Sequence, residues 1–166
     1  MKFGFIQSAG MVTAFAVLFG ARTLMQAQGT LGAPSENSAF SVPQAQVIQP
    51  EELSGTLHTA GVERPLMLQV GSRVLFDQAH IAGSEYAGPG SQAAGLQLLQ
   101  KRVSSLKPET PIVLYCGCCP WNRCPNVAPA FRLLQRLGFT RVKVLYLADN
   151  FGADWVSKGY PVERTR

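Results

Sequence analysis

The sequence has few charged residues, no run of lysines or arginines, no internal repeat, and no cysteine outside one short segment. Charged residues make up 15% of the chain, and the formal net charge is +5 at pH 7. Two of the scattered basic residues, Lys2 and Arg22, lie in a predicted leader. Because clustered basic residues bind nucleic acids and acidic lipid surfaces, the composition predicts no nucleic-acid partner and no basic membrane-binding face.

The first residues have the pattern of a secretory leader. Lys2 supplies a positive start, Gly10–Ala21 is an apolar centre, and small residues follow at Ala27 and Gly29. We therefore predict a signal peptide over residues 1–27 and export, to the periplasm if the source is bacterial. The alternative is an uncleaved leader that anchors the chain in the inner membrane, its only predicted membrane contact. No cysteine lies just after the apolar centre, near the predicted cleavage site, so a lipid-modified N-terminus is not predicted.

The rest of the chain divides into a flexible linker, residues 28–46, and one folded domain, residues 47–166. The linker is rich in small, polar and turn-forming residues. In the domain, short apolar runs alternate with amphipathic segments, which predicts an α/β fold with a parallel sheet covered by helices on both faces. The predicted strands are Val47–Ile48, Pro65–Gly71, Ala79–Ser84, Ile112–Tyr115 and Arg141–Leu147; the predicted helices are residues 50–58, 91–103, 127–138 and 151–158, with Ser91 as an N-cap.

All four cysteines lie together after one predicted buried strand, in Cys116-Gly-Cys-Cys-Pro-Trp-Asn-Arg-Cys124. Cys116 directly follows Ile112–Tyr115, and ligands bind at the carboxyl ends of strands in open α/β sheets. Loop N–H groups and the start of the next helix are expected to stabilise a thiolate there. We therefore predict that the pKa of Cys116 is lowered from about 8.5 toward neutrality.

The close spacing of the cysteines favours chemistry over a structural framework, because disulfides within so short a segment close very small rings. Several interpretations of Cys118, Cys119 and Cys124 remain open. Cys116 and Cys119 have the Cys-x-x-Cys spacing of thiol redox motifs, and a disulfide from Cys118 or Cys119 to Cys124 would pin the loop. Four thiolates also suit zinc or copper(I), but the adjacency of Cys118 and Cys119 argues against a tetrahedral ion, so no metal and no other cofactor is predicted.

Four segments in order resemble the rhodanese-like family over residues 47–163. Each match is short, but their order and spacing make the combination specific. The resemblance implies a parallel sheet of about five strands with helices on both faces. The matching segments are Ala79–Ser84, similar to Gly-His-Ile-Pro-Gly-Ala; Ile112–Cys116, similar to the strand that carries the active cysteine; Gly138–Leu145, similar to Gly-Phe-x-x-Val-x-x-Leu; and Trp155–Glu163, which ends in Gly-Tyr-Pro-Val-Glu.

This resemblance implies a sulfurtransferase of the thiosulfate type. Cys116 would accept a sulfane sulfur from a small sulfur-containing donor, hold it as a persulfide, and pass it to a thiol acceptor. The family pattern does not explain Cys118, Cys119 and Cys124, and their spacing predicts resolving or auxiliary thiols. The alternatives are a thiol–disulfide redox protein and a non-catalytic module that binds a thiol-bearing or metal-bearing partner. The residues expected to form the substrate-binding loop are Gly117, Trp121, Asn122, Arg123 and Asn126, with Arg123 as the cation for an anionic donor.

The sequence also departs from the family pattern near the cysteine. The loop from Cys116 to Asn126 is longer than the family's loop, Gln69 stands in place of an aspartate, and Gly71 stands in place of an arginine. Any support that those two positions give the loop must therefore be absent or rebuilt. His80 is expected to hold local backbone through a ring hydrogen bond and not to act as a catalytic base.

Overall fold

A computed structural model describes residues 42–165 of the chain, so the predicted signal peptide and most of the predicted linker lie outside the described residues. No helix among residues 42–165 is long and apolar enough to cross a membrane. The strands are β1 Val47–Ile48, β2 Leu66–Gln69, β3 His80–Ile81, β4 Glu85–Tyr86, β5 Ile112–Tyr115, β6 Val142–Leu145 and β7 Val162–Glu163; the helices are α1 Pro50–His58, α2 Arg73–Gln78, α3 Ala93–Val103, α4 Val127–Arg136 and α5 Phe151–Asp154.

Five of the strands form one parallel sheet in the order β1-β6-β5-β2-β4. The central strand, β5, is buried at every position. Its side chains alternate between two apolar cores, as the period of a strand requires: Ile112 and Leu114 face one core, and Val113 and Tyr115 face the other. The predicted α/β fold with a parallel sheet of about five strands is therefore confirmed.

Each face of the sheet is covered by a different pair of helices. On one face, α3 and α4 contribute apolar residues that include Leu99 and Phe131. On the other, α1 and α5 contribute residues that include Leu53 and Phe151. The side chain of Cys116, which directly follows β5, belongs to the α3 and α4 core. The strand thus delivers this thiol against the start of α4.

The turn after α2 pairs with the end of the chain. β3 and β7 form an antiparallel pair in which His80 lies opposite Glu163 and Ile81 lies opposite Val162. The ring of His80 stacks on Phe76, with centroids 3.9 Å apart, and its Nδ1 lies 2.7 Å from the carbonyl oxygen of Phe76. The predicted local backbone role of His80 is confirmed.

Three helix boundaries differ from the sequence prediction, and one of them is the end of α4, at Arg136 instead of residue 138. Helix α3 begins at Ala93, and Ser91 does not cap it, because the Ser91 hydroxyl donates to Oδ1 of Asn126 instead. The last helix is also shorter. Helix α5 ends at Asp154, and a separate 3-10 turn, Val156–Lys158, follows and ends at Gly159, which has φ 73°.

A pair of glycine variants tests the packing of α3. Within a helix, alanine is ordinarily more stable than glycine by about 1 kcal/mol. At Gly95 a Cβ would lie 2.1 Å from the carbonyl oxygen of Pro89, whereas at Gly55 in α1 no atom lies within 4 Å. We expect Gly95→Ala to lower the free energy of unfolding by about 1–3 kcal/mol and Gly55→Ala to raise it by about 0.5–1 kcal/mol. Urea unfolding of both variants measures this, and equal stabilisation by the two would contradict the predicted contact.

Candidate active site

The backbone at Cys116 is held by the two residues that depart from the family pattern. Nε2 of Gln69 donates to the carbonyl oxygen of Cys116 at 3.0 Å, and Oε1 of Gln69 accepts from the N–H of Gly71 at 3.1 Å. The Gln69 side chain is buried, so both of these hydrogen bonds are shielded from water. The loop is therefore supported at these two positions, through hydrogen bonds of the Gln69 amide instead of the family's charged residues.

Gly71 lies directly against the thiol. A Cβ at this position would be 2.9 Å from both the carbonyl oxygen and Sγ of Cys116. Non-bonded contacts of a Cβ atom are longer than this in protein structures, so even an alanine at position 71 requires Gly71 or Cys116 to shift. An arginine here, as in the family pattern, is incompatible with the observed position of Cys116. The glycine is what allows the cysteine to occupy this position.

If Cys116 accepts sulfane sulfur, as the family resemblance implies, Gly71→Ala is expected to slow that uptake by about 100-fold, because a shift of about 1 Å at a reacting group has an effect of that size. The measurement is the rate at which a sulfane sulfur donor adds sulfur to the reduced protein. Gly55→Ala, which places its methyl group in open space, is the matched control and should react like the wild type. Uptake by Gly71→Ala at the wild-type rate would show that the tight contact does not matter to the site.

The four cysteines form a cluster of free thiols after β5. Sγ of Cys116 lies 3.0 Å from Sγ of Cys118, which in turn lies 3.4 Å from Sγ of Cys119. The Sγ atoms of Cys116, Cys119 and Cys124 all lie within 4.8 Å of one another. Cys116 is 5% exposed, Cys119 and Cys124 are partly buried, and Cys118 is exposed. The loop thus brings all four predicted thiols together around one buried member.

Asn126, predicted to be the last residue of the loop, is buried at the start of α4 and contacts the central thiol. Its Nδ2 donates to Sγ of Cys116 at 3.3 Å. Its Oδ1 accepts from the backbone N–H of Ser91 at 3.0 Å and from the Ser91 hydroxyl at 2.8 Å. Because a backbone N–H can only donate, this contact fixes which end of the amide faces the sulfur. Asn126 therefore presents a hydrogen-bond donor to Cys116.

The acidic thiol in the cluster is Cys124. Its contact with the Cys116 thiol and hydrogen bonds from the backbone N–H groups of Asn126 and Val127 lower the pKa of Cys124 to about 6, although its burial acts in the opposite direction. These N–H groups belong to the first residues of α4, where the positive end of the helix dipole favours an anion. The expected thiolate stabilisation exists in the loop, but it acts on Cys124.

The predicted acidity of Cys116 is wrong. The neighbouring Cys124, which carries the negative charge, and burial of the side chain raise the pKa of Cys116 above that of an ordinary thiol. Burial, followed by hydrogen bonding with Cys118, raises the pKa of Cys119 to about 12. These shifts favour a thiolate at Cys124, with Cys116 and Cys119 protonated.

A pocket with a cavity volume of ≈ 370 Å³ opens beside Cys116. Cys116, Gly117 and Cys118 line it, together with residues of α2 and α5 and residues from other elements. Tyr115 also lines it, but its hydroxyl contacts Ser84 Oγ at 2.7 Å, and burial raises its pKa to about 12, so it stays protonated. None of the described residues that line the pocket is acidic or basic; the lining consists of Gln69, Leu75, Gln78, Ala79, Tyr115, Cys116, Gly117, Cys118, Asn150, Phe151, Gly152 and Val156.

The remaining residues of the predicted substrate-binding loop have different positions. Gly117, with φ 76°, lines the pocket and packs on Phe151, where a Cβ would lie 2.7 Å from the Phe151 Cβ. Trp121 packs its ring on Tyr146, with centroids 5.1 Å apart, and does not line the pocket. Asn122 and Arg123 are exposed and also lie outside the lining. Arg123 therefore provides no cation in this pocket.

Sequence reasoning missed several residues of the site. Ser91, which the local pattern predicts to be a helix cap, orients Asn126 from a position 35 residues earlier in the chain. Gln78 and Asn150 also line the pocket. Gln78 directly precedes a predicted strand and Asn150 directly precedes a predicted helix, so the local sequence pattern at these two residues gives no sign of a binding site. The order of strands in the sheet, which a single sequence does not specify, is what brings these segments to the same edge.

Comparison with solved structures identifies the architecture. No protein-family model matches the sequence, and no curated protein matches it. The solution structure of the rhodanese-like domain of the Alr3790 protein from Anabaena sp. is 24% identical, with a TM-score of 0.53 over 72% of this chain and 79% of that one. The crystal structure of the BH2092 protein from Bacillus halodurans is also 24% identical, with a TM-score of 0.54 over 71% of this chain and 76% of that one.

A crystal structure of the Alr3790 protein gives the same result, with 24% identity and a TM-score of 0.54 over 70% of this chain and 91% of that one. These likenesses span most of the described domain and most of each compared chain. At this level of identity they establish the fold and not the activity. The resemblance predicted from the four sequence segments is confirmed at that level.

Proposed function

We propose that this chain, which has the rhodanese-like fold, is a sulfurtransferase that carries sulfane sulfur as a persulfide on Cys116. One observation carries the proposal: the Cys116 thiol lies at the carboxyl end of the central strand and lines a ≈ 370 Å³ pocket, with the Asn126 amide donating to its sulfur at 3.3 Å. Cys124 has the lower pKa, but it does not line this pocket. Access of a small donor therefore favours Cys116 as the nucleophile.

In the first step, the sulfur of Cys116 attacks the outer sulfur of a donor such as thiosulfate. A bond forms between Sγ and that outer sulfur, the sulfur–sulfur bond of the donor breaks, and sulfite leaves with the bonding electron pair. The proton of the Cys116 thiol passes to the neighbouring Cys124 thiolate. Asn126 Nδ2 donates to the reacting sulfur and stabilises the negative charge that develops there.

In the second step, a thiolate acceptor attacks the terminal sulfur of the persulfide. A new sulfur–sulfur bond forms on the acceptor, the bond between Sγ and the terminal sulfur breaks, and Cys116 leaves as a thiolate. The partners of the proposed reaction are thus a small sulfur-containing donor and a thiol acceptor. Because a signal peptide is predicted, we propose that this reaction takes place in the periplasm.

A second candidate function is thiol–disulfide exchange, and it is favoured by the 3.0 Å distance between Sγ of Cys116 and Sγ of Cys118. In this reaction the two thiols give up two electrons and two protons to a disulfide substrate, which is reduced to two thiols. A disulfide between Cys116 and Cys118 remains. Sulfur transfer and thiol–disulfide exchange leave different covalent products on the protein.

The intact mass of the protein distinguishes these products. The reduced, desalted protein is treated anaerobically with thiosulfate or with an organic persulfide. Sulfur transfer predicts a gain of one sulfur atom, located at Cys116 by peptide fragmentation and removed by cyanide. Thiol–disulfide exchange predicts instead a loss of two hydrogen atoms after treatment with a disulfide. If neither donor adds sulfur to the protein, the sulfurtransferase proposal is wrong.

A further inference from the structure

The arrangement of three thiols in the cysteine cluster is suited to a metal ion. Sγ of Cys116, Cys119 and Cys124 lie within 4.8 Å of one another. We propose that these three cysteines bind a single copper(I) ion as a three-coordinate thiolate site. This proposal rests on the positions of the sulfur atoms, and it holds whether or not the protein transfers sulfur.

The distances between the sulfur atoms are close to those that one ion requires. Metal–thiolate bonds are about 2.3 Å long. Three sulfurs around one ion in a trigonal plane then lie about 4 Å apart, by the geometry of that bond length. The trio, already within 4.8 Å, reaches this arrangement with shifts of less than about 1 Å at the sulfur atoms.

The adjacency of Cys118 and Cys119, which argued against a metal in the sequence, does not apply to this trio. Cys118 is the exposed member of the cluster and lies outside the set of three. A single ion therefore does not have to be reached by two adjacent side chains. The three residues that do converge are separated in the chain, and each belongs to a different part of the loop.

The donor set selects copper(I) from the thiophilic ions. It consists only of thiolates, without a histidine or carboxylate in the group, and such soft ligands favour copper(I), zinc and iron–sulfur clusters. Structural zinc sites are almost always tetrahedral and need a fourth protein ligand. Copper(I) has a filled d shell and accepts three thiolates without one. Partial burial of the trio also limits the access of water and oxidants to the ion.

The surroundings of the trio supply outer contacts of the kind that tune metal sites. Asn126 donates to Sγ of Cys116 at 3.3 Å and is itself fixed by Ser91. At the start of α4, the backbone N–H groups of Asn126 and Val127 donate to the sulfur of Cys124. Three thiolates and one copper(I) ion carry a net charge of −2, and both the Asn126 amide and the positive end of the helix offset that charge.

The test is a titration of the reduced, full-length protein with copper(I) under anaerobic conditions, in competition with a chromophoric copper(I) chelator. One copper(I) per chain should bind. Loss of an outer contact costs a metal site about 10- to 100-fold in affinity. Loss of a ligand should cost more, so we expect Cys119→Ser and Cys124→Ser each to weaken binding by more than about 100-fold. Cys118→Ser is the matched control and should bind like the wild type.

X-ray absorption of the copper-loaded wild type gives a readout that does not depend on how the variants fold. Three sulfur neighbours, with no nitrogen or oxygen neighbour, would support the proposed site. Four sulfur neighbours, or a loss in Cys118→Ser as large as that in Cys124→Ser, would overturn it. Preference for zinc over copper(I), or unchanged copper(I) binding in Cys119→Ser, would overturn it as well.

Discussion

Cys116→Ser is expected to abolish the uptake of sulfane sulfur without unfolding the domain. Serine replaces the thiol by a hydroxyl that does not form a persulfide, while the side chain keeps nearly the same shape. The new hydroxyl accepts the hydrogen bond from Asn126 Nδ2 in place of the sulfur, so no buried donor is left without a partner. The measurements are the intact mass after treatment with thiosulfate or an organic persulfide, and the midpoint of thermal unfolding.

The other cysteines provide controls that share the same loop. Cys118→Ser should still gain one sulfur atom, because Cys118 is exposed and is not the proposed persulfide carrier. Cys124→Ser should gain it more slowly, by about 10²- to 10⁴-fold, since loss of a proton acceptor has effects of that size. The assignment would be contradicted if Cys116→Ser still gained sulfur and Cys124→Ser did not, since the nucleophile would then be the acidic thiol.

The position of Cys116 could be predicted because it depends on local signals. A short apolar run bounded by prolines identified β5, and a buried parallel strand ends at the ligand-binding edge of its sheet. The matches to rhodanese-like segments added the order of elements. Each of these signals spans only a few residues, so a single sequence contains them. The fold and the place of the central thiol follow from them.

The acidity of the thiols could not be assigned in the same way. A helix start does stabilise a thiolate in this loop, but the thiolate is not the one that the sequence pattern predicts. In the lengthened loop, Cys124 lies just before α4, and its charge, together with burial, raises the pKa of Cys116. Which thiol meets the helix depends on how the loop folds back on itself. Residue spacing does not specify that path.

The contacts that support the site are long-range, and local sequence patterns therefore do not predict them. Gln69 holds a carbonyl group that comes 47 residues later, and Ser91 orients an amide 35 residues away. In the sequence, Gln69 is recognised only as a neutral residue in place of the family's aspartate, and Ser91 has the pattern of a helix cap. Both local patterns are compatible with an ordinary role. Only the packing of β2, β5 and the start of α4 shows what these polar groups bind.

The other large effect is expected from Trp155→Ala, which should lower the free energy of unfolding by about 3–5 kcal/mol. Trp155 is fully buried in the core under α1 and α5. Its ring packs against Phe151 and against Tyr160, with centroids 6.2 Å and 5.1 Å away, and its Nε1 donates to the carbonyl oxygen of Pro161 at 2.9 Å. Alanine leaves a cavity there that these surroundings fill only in part.

Trp155→Phe separates the two contributions of this residue. Phenylalanine keeps most of the apolar volume but has no donor for the Pro161 carbonyl group, so its cost should be smaller, about 1–3 kcal/mol. Urea unfolding followed by circular dichroism measures both variants without relying on tryptophan fluorescence. Because Phe151 also packs on Gly117, a loosened core should slow sulfur uptake at Cys116 in Trp155→Ala more than in Trp155→Phe. Equal stability of the two variants would show that ring packing at this position contributes little.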